Sequence, residues 1–402
     1  MADQRRTPGS QTSLREANRG RIVDAVKKHG GLTQVELAGA TGLSPATVSN
    51  IVKELAESGV LSTSKSMRSG RRAQYVTLAH ASGLICGVHF SQRQLRVALA
   101  DTSMTVLSEH EMPLARDHRS DNEIRRVSML IADMLESVSA ERDELLAVGL
   151  AVSAPMDADS GMIARPGILR GWEGIPIRES AERALRVPVF VENSSNLSAL
   201  AEHRAGALRG HGDAVFIEVS DGIGAGMILG GRGYRGASGS AGEFGHMVIV
   251  ENGPPCRCGN LGCLEAIAGG DAIIERLKNR YSGLKLGDVI VRAMAGDDVC
   301  IRAIAEAGSH IGVAAANVAS MFDPARIVVG GKLARAGELL LGPIRQVIDR
   351  SLATRLAAPP EIVASQLGPR AALIGAVGLA GEQLSAFPAT ASGTADLRVA
   401  LG

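Results

Sequence analysis

The 402 residues have almost no net charge, only five cysteines and no long uninterrupted apolar run. Forty-three basic against forty-two acidic side chains give a formal charge of +1, so affinity for a polyanion must come from part of the chain rather than all of it. Five cysteines are too few to staple a disulfide scaffold. No stretch approaches the ~18 to 20 consecutive apolar residues of a membrane-spanning helix, so no membrane partner is expected. The opening MADQRRTPGSQ has charge but no apolar segment behind it, hence no secretory signal, and the cytoplasm, with reduced thiols, is the expected location. What is present, 45% apolar and 21% charged residues, is the composition of a globular chain long enough for two or three domains.

Charge divides this chain. Residues 1–80 hold twelve Lys/Arg and six Asp/Glu, whereas residues 81–402 hold thirty-one and thirty-six. A small basic module ahead of a slightly acidic body points to nucleic acid as the partner of the first part alone. With thirty-six Arg and seven Lys throughout, the asymmetry is informative and the Arg count is not.

Residues 1–12 read as a disordered polar tail, and residues 13–80 as a winged helix-turn-helix. Leu14 to His29 has a helical period, with Leu14, Ile22, Ala25 and Val26 on one side, stopped by Gly30-Gly31. Thr33 with Glu36 forms a capping box for a short helix through Ala40, and Thr41-Gly42-Leu43 is a tight turn. Ser44 then caps a third helix with Pro45 at its first position, where a missing N–H costs little. Val48, Ile51, Val52 and Leu55 face the core, leaving Ala46, Thr47, Ser49, Asn50 and Lys53 outward. An amide can pair with adenine and small side chains can meet thymine methyls in a major groove, so Ser44 and these five are the candidate DNA-reading residues. Leu61 to Leu78 reads as two strands around a basic tip, Ser69 to Arg72, whose Arg68, Arg71 and Arg72 suit phosphates or a minor groove.

From residue 82 to 387 the pattern is α/β. A hairpin, Leu84 to Phe90 and Gln94 to Asp101, is followed by a helix near Asn122 to Ala140 and a strand Ala147 to Val152. A second hairpin, Ala214 to Ser220 and Gly224 to Leu229 about the Asp221-Gly222 turn, is followed by helices and a strand Arg326 to Val329. The recurrence predicts a duplicated α/β unit with a cleft between its halves. Residues 388–402, rich in Ala, Ser and Thr, read as a loose tail.

The sharpest chemical signal is His246 with Cys256, Cys258 and Cys263. Three thiolates and an imidazole make a closed tetrahedral zinc shell, structural because no position is left to activate water. Cys86 and Cys300 are expected as buried apolar thiols.

The segment containing these ligands, GASGSAGEFGHMVIVENGPPCRCGNLGCLEAIAG, resembles the signature of the ROK family of repressors, open reading frames and sugar kinases. The resemblance extends over about residues 82–380, with family-like segments at Gly149 to Asp157, Gly171 to Ile177, Val191 to Glu202 and Ile327 to Arg345. It implies an actin-like, ribonuclease H-like duplicated body, and the winged helix ahead of it resembles the repressor branch. It further implies a sugar or effector pocket at Asn193, Glu243, His246 and Glu265.

Three departures bear on activity. Where the family's kinases follow this asparagine with a proton-accepting aspartate, this chain has Ser194, and general-base catalysis is worth roughly 10²- to 10⁴-fold. The first hairpin turn, His89 to Arg93, has no acid and no glycine, and the second carries Asp221, a carboxylate repulsive to phosphate. Just before Gly171-Trp172, where related pockets often show an Asn or similar polar group, this chain reads Gly167-Ile168-Leu169-Arg170. No ATP and no catalytic residue are expected. The reading is a DNA-binding repressor, dimeric or tetrameric, whose body senses a sugar or sugar phosphate. The alternatives are a sugar kinase with a DNA-binding extension, or a regulator without a ligand whose zinc loop serves packing alone.

Overall fold

The computed structural model describes residues 11–386 apart from 30–31, 58–59, 69–70, 79–82, 116, 139, 158–159, 165–167, 170 and 353–357. The expected tails, 1–12 for the most part and 388–402 entirely, lie outside these residues. The chain divides into two compact units: residues up to Leu84 with the Asp101–Thr105 turn, and Ile85–Ala100 with everything from Val106 onward.

The first unit contains α1 (Gln11–His29), β1 (Leu32–Thr33), α2 (Gln34–Thr41), α3 (Pro45–Glu57), β2 (Leu61–Arg68) and β3 (Arg71–Leu78). Helix α1 begins at Gln11, inside the stretch read as tail. The capping box of α2 is present: Thr33 Oγ1 accepts from Glu36 N at 3.3 Å and Glu36 Oε2 accepts from Thr33 N at 2.8 Å. Gly42, at φ +69°, ends the helix in the left-handed conformation that favours glycine. Ser44 Oγ accepts from Thr47 N at 3.2 Å and so caps α3. Val48, Ile51, Val52 and Leu55 bury one face of α3 against Ile22, Val26, Leu37, Leu61 and Val76. Each such side chain contributes about 1.5–3 kcal/mol of transfer free energy. β1 was not anticipated. It adds an edge to the wing, giving a sheet of order β1-β3-β2. Two residues are too few to show an alternating pattern, and pairing of Leu32 with Val76 is what makes them a strand.

The second unit begins with β4 (Leu84–Phe90), β5 (Gln94–Asp101) and β6 (Val106–Pro113). It continues with α4 (Ser120–Ser137), β7 (Leu145–Val152), α5 (Ile177–Leu185), β8 (Val189–Asn193) and α6 (Ser194–Ala205). Then come β9 (Ala214–Val219), β10 (Ile223–Leu229), β11 (Arg232–Tyr234), α7 (Leu264–Ala268), α8 (Gly270–Leu277), α9 (Leu286–Met294), α10 (Asp298–Phe322), β12 (Arg326–Gly330), α11 (Glu338–Leu352), β13 (Glu361–Ala364) and α12 (Ala371–Ala386). The sheets have orders β6-β5-β4-β7-β8 and β11-β10-β9-β12-β13. In each, the three strands of a meander are joined on the first strand's free side by two later strands, so the duplication faint in the residues is plain in the topology.

The first sheet's central strands are buried on both faces, which is why β4 reads as a continuous apolar run. Helix α12 packs so closely on this sheet that a Cβ on Gly149 would lie 2.0 Å from the Ala376 carbonyl oxygen. Helix α10, capped by Asp297 Oδ1 accepting from Val299 N and Cys300 N, is the centre of the second lobe, with Ala307, Ile311, Ala314 and Ala315 fully buried. By length and composition α10 alone among the described helices could cross a membrane, a match that reading for uninterrupted apolar runs overlooks. Its position in the core against α11 accounts for the apolarity. α4 starts and ends two or three residues earlier than its sequence pattern suggests, because Val138 already leaves helical geometry.

Candidate functional site

On the first unit, Ser44, Ala46, Ser49, Asn50 and Lys53 are exposed on α3 and Thr47 is half-buried. Ser44 Oγ and Thr47 Oγ1 lie 2.8 Å apart and Lys53 Nζ is 3.9 Å from Glu57 Oε1, leaving the Asn50 amide on the open outward face between them. Arg15 and Arg19 both reach Glu54 from α1, at 2.8 and 3.1 Å, and fix α1 against α3. Arg68 ends β2 and Arg71 and Arg72 open β3, so all three wing arginines are strand residues, two of them where the sequence suggested the turn. Their side chains lie outside the described residues.

In the body, both sheets contribute to one cleft, and Asn193, Glu243, His246 and Glu265 all line it. The ligand atoms of His246, Cys256, Cys258 and Cys263 lie within 4.8 Å of one another. Cys258 Sγ and Cys263 Sγ are 3.6 Å apart, and Cys256 Sγ and His246 Nδ1 are 3.4 Å apart. With Zn–S near 2.3 Å and Zn–N near 2.0 Å, tetrahedral edges come to about 3.8 and 3.5 Å, so these four groups have the size of a zinc shell. Burial pushes the Cys256 thiol up and the Cys263 thiol up to about 12. Burial opposes ionisation of Cys258 too, but hydrogen bonds from the Asn260 backbone and the neighbouring thiols outweigh it and lower that thiol. Three thiols in one buried loop do not ionise together unless a cation compensates them, which is the condition a divalent metal supplies. The loop itself depends on Gly262, at φ +70°, where a Cβ would lie 1.7 Å from the Val250 carbonyl oxygen.

The imidazole of His246 serves two sides. Nδ1 faces the thiols, and Nε2 lies 3.9 Å from Glu243 Oε2. Asn193 is the N-cap of α6: Oδ1 accepts from Ser195 N and Asn196 N at 2.8 and 3.2 Å, while Nδ2 donates to the Ala154 carbonyl at 2.8 Å. Its amide therefore orders the cleft wall as well as lining it. Glu265 is 8% exposed and takes a two-pronged pair from Arg257, Nε to Oε1 at 2.7 Å and Nη2 to Oε2 at 2.8 Å, plus Ile223 N at 2.9 Å. Arg257 escapes sequence reasoning because it stands between two candidate metal ligands and reads as spacer. Its charge in an otherwise apolar and glycine-rich loop was the available signal.

At the cleft floor Ser194 is buried, and its hydroxyl oxygen lies 3.0 Å from that of Ser153, which is 3.5 Å from His89 Nε2. Burial, reinforced by the Arg96 and Lys332 charges, lowers His89 to about 3, so it is neutral. Glu218 is raised by burial, against hydrogen bonds from Ser195 and Ser220 that lower it. Asp221 is held by Lys332 Nζ at 3.0 Å, with Arg93 Nε at 3.8 Å. The first turn thus offers charged and polar side chains and no glycine, and the second keeps Gly222 and Gly224 beside an Asp221 already paired with Lys332. Cys86 and Cys300 are fully buried, as expected.

A winged helix-turn-helix together with a two-lobed α/β body of duplicated topology defines a class, that of modular regulators related to sugar kinases. The chain belongs to the ROK family: the ROK family model matches residues 85–383, and a winged helix-turn-helix DNA-binding model matches residues 15–62. It is 30% identical over 387 residues to the DNA-binding transcriptional dual regulator NagC of Escherichia coli K12, covering 91% of this chain and 94% of that one. It is 27% identical over 371 residues to the xylose repressor of Bacillus subtilis 168, covering 91% and 95%. Among solved structures it resembles a ROK family glucokinase from Streptomyces griseus in complex with glucose and AMPPNP, at 29% identity and TM-score 0.68, over 75% of this chain and all of that one. A ROK family transcriptional regulator, a homologue of the E. coli MLC protein, shares the fold at 22% identity and TM-score 0.72, over 92% and 96%.

Proposed function

We propose that this protein is a sequence-specific transcriptional repressor of the ROK family acting in the cytoplasm on genes of sugar uptake or metabolism. Residues 13–80 bind operator DNA, and residues 82–387 form a non-enzymatic body that senses a sugar or sugar phosphate and joins copies into a dimer or tetramer. The observation that carries this reading is Ser194, a buried hydroxyl where the kinases have a base, in a chain that also presents a polar α3 face. The names of the repressor relatives, xylose repressor and NagC, support the direction of control and the class of effector. The kinase neighbours keep the alternative in view.

One zinc ion at His246, Cys256, Cys258 and Cys263 holds the loop that carries Arg257 and precedes Glu265. When bound, it supplies structural cross-linking and no catalysis. His246, with Nδ1 toward the thiols and Nε2 3.9 Å from Glu243 Oε2, would join the metal site to the cleft carboxylate, a second role alongside ligation. Two copies place paired α3 helices into half-sites about 34 Å apart, one helical turn. A ligand that prefers one arrangement of the lobes changes operator affinity by its coupling energy, about 1–3 kcal/mol or 5- to 150-fold.

Genome-wide mapping of DNA bound by the full-length protein, followed by affinity measurements on the recovered sites with a panel of sugars and their phosphates, tests this. Discrete sites beside carbohydrate genes, weakened or strengthened by one panel member, are expected. Sugar-dependent ATP turnover with no retained duplex overturns it.

A further inference from the structure

The turn Ser91–Arg93 belongs to the first lobe, yet two of its side chains bind the second. Arg93 Nη2 donates to Asp271 Oδ1 at 2.5 Å, and Arg93 Nε lies 3.8 Å from Asp221 Oδ1. Asp221 is therefore shared between Arg93 from one lobe and Lys332 from the other. The neighbouring Gln92 amide faces Arg257, and with its oxygen assigned toward the guanidinium it accepts from Nη2 at 2.9 Å, while Arg257 Nη1 donates to the Ile168 carbonyl at 2.8 Å. Ile168 is again a first-lobe residue, in the segment between β7 and α5. Arg257 spends its remaining donors on Glu265.

Both partners of this contact are rigid. Ser91 N and Ser91 Oγ each donate to the Gln94 carbonyl, at 2.9 and 3.1 Å, closing the first-lobe turn on itself. In the second lobe, Gly270 N donates to Ser220 O at 2.9 Å and Asp271 N to Asp221 O at 3.1 Å, so the backbones carrying the two acids are tied together. Side-chain charge is what spans the gap. We propose that the body latches its own cleft: Arg93 and Arg257, reaching in opposite directions, hold the Ser91–Arg93 turn against the second lobe and close it without nucleotide.

The latch goes beyond the repressor reading and does not depend on it, since it requires neither DNA nor effector. Arg93 and Asp271 are each a third exposed in their side chains while Asp221 is buried, so the pairs are partly open to screening. Closure then answers to ionic strength and to any ligand that adds or removes charge at this turn. A ligand entering the cleft works against these pairs, which sets how readily the lobes part.

Hydrogen exchange on the full-length protein tests the latch, read at peptides covering residues 91–94 and 220–224. Arg93→Asp is expected to raise exchange at both by roughly fivefold or more, beyond what an exposed pair would give. About 1 M salt, where the Debye length is about 3 Å, is expected to move the parent the same way. The exchanged pair Arg93→Asp with Asp271→Arg is expected to recover most of the protection, and peptides of α3 and α10 to stay unchanged as fold controls. Should Arg93→Asp fail to fold, Arg93→Gln, which drops only the charge, is read identically. Parent-like exchange in the folded single variant, or an exchanged pair no better protected than the singles combined, overturns the latch.

Discussion

Removing the guanidinium of Arg257 breaks its pair with Glu265, whose size follows from the geometry, together with its hydrogen bond to the Ile168 carbonyl. Arg257 and Glu265 form a two-pronged pair with side chains 27% and 9% exposed. Exposed pairs are worth about 0.2–1 kcal/mol. Breaking a fully buried pair by deleting one partner costs about 3–5 kcal/mol, because the other charge is left uncompensated. In Arg257→Ala, Glu265 keeps Ile223 N at 2.9 Å as a donor and stays in its buried place on α7. The expected loss lies between the two limits, at about 2–3 kcal/mol of body stability. Trp172 is the chain's single tryptophan, fully buried and 4.7 Å from Phe90 between ring centroids. Urea unfolding followed by its fluorescence therefore reports the body and not the winged helix. Glu265→Gln in the Arg257→Ala background should recover part of the loss, since it removes the stranded charge while leaving an oxygen for Ile223 N. A loss below about 0.5 kcal/mol, or no recovery in the double variant, would refute the assignment of a desolvated pair.

Asn50→Ala should weaken or relax sequence-specific DNA binding by about 1–3 kcal/mol at one base position while leaving unfolding unchanged; operator titrations with mutated half-sites check it. Cys258→Ser should lose the metal and destabilise the body, checked by metal stoichiometry and Trp172 unfolding; one full equivalent of zinc in the variant contradicts the ligand set. His89, whose folded-state value is lowered by burial from 6.5 to about 3, favours the folded state above the unfolded value and loses that contribution as pH falls from about 6.5 toward 3. His89→Asn should flatten the body's stability over that window, and an unchanged acid limb would contradict it.

Local signals in the chain reached far. The capping pair Thr33 and Glu36, Ser44 ahead of Pro45, and the strands Leu84–Phe90 and Gln94–Asp101 lie where their residues indicate. The four candidate metal ligands, His246, Cys256, Cys258 and Cys263, are brought within 4.8 Å of one another. Each rests on neighbours in sequence, or on a short loop whose spacing already limits its geometry. Edge strands were harder. β6 and β11 are exposed, and polar edges lack the alternation that marks a half-buried strand.

What the sequence determined by itself was the parts list: a capped third helix with an outward polar face and its wing, a doubled α/β pattern, four candidate metal ligands and a serine at position 194. Only tertiary structure decided what the charges do. Arg93 meets Asp271 across 178 positions and Arg257 meets Ile168 across 89. Arg257 and Glu265 are eight apart, but across the Cys256–Cys263 loop rather than one helical face. Hydrophobic period and capping act over a few residues and are written locally. Which acid a long, flexible arginine finds depends on how two sheets stack, and nothing in its own neighbourhood records that.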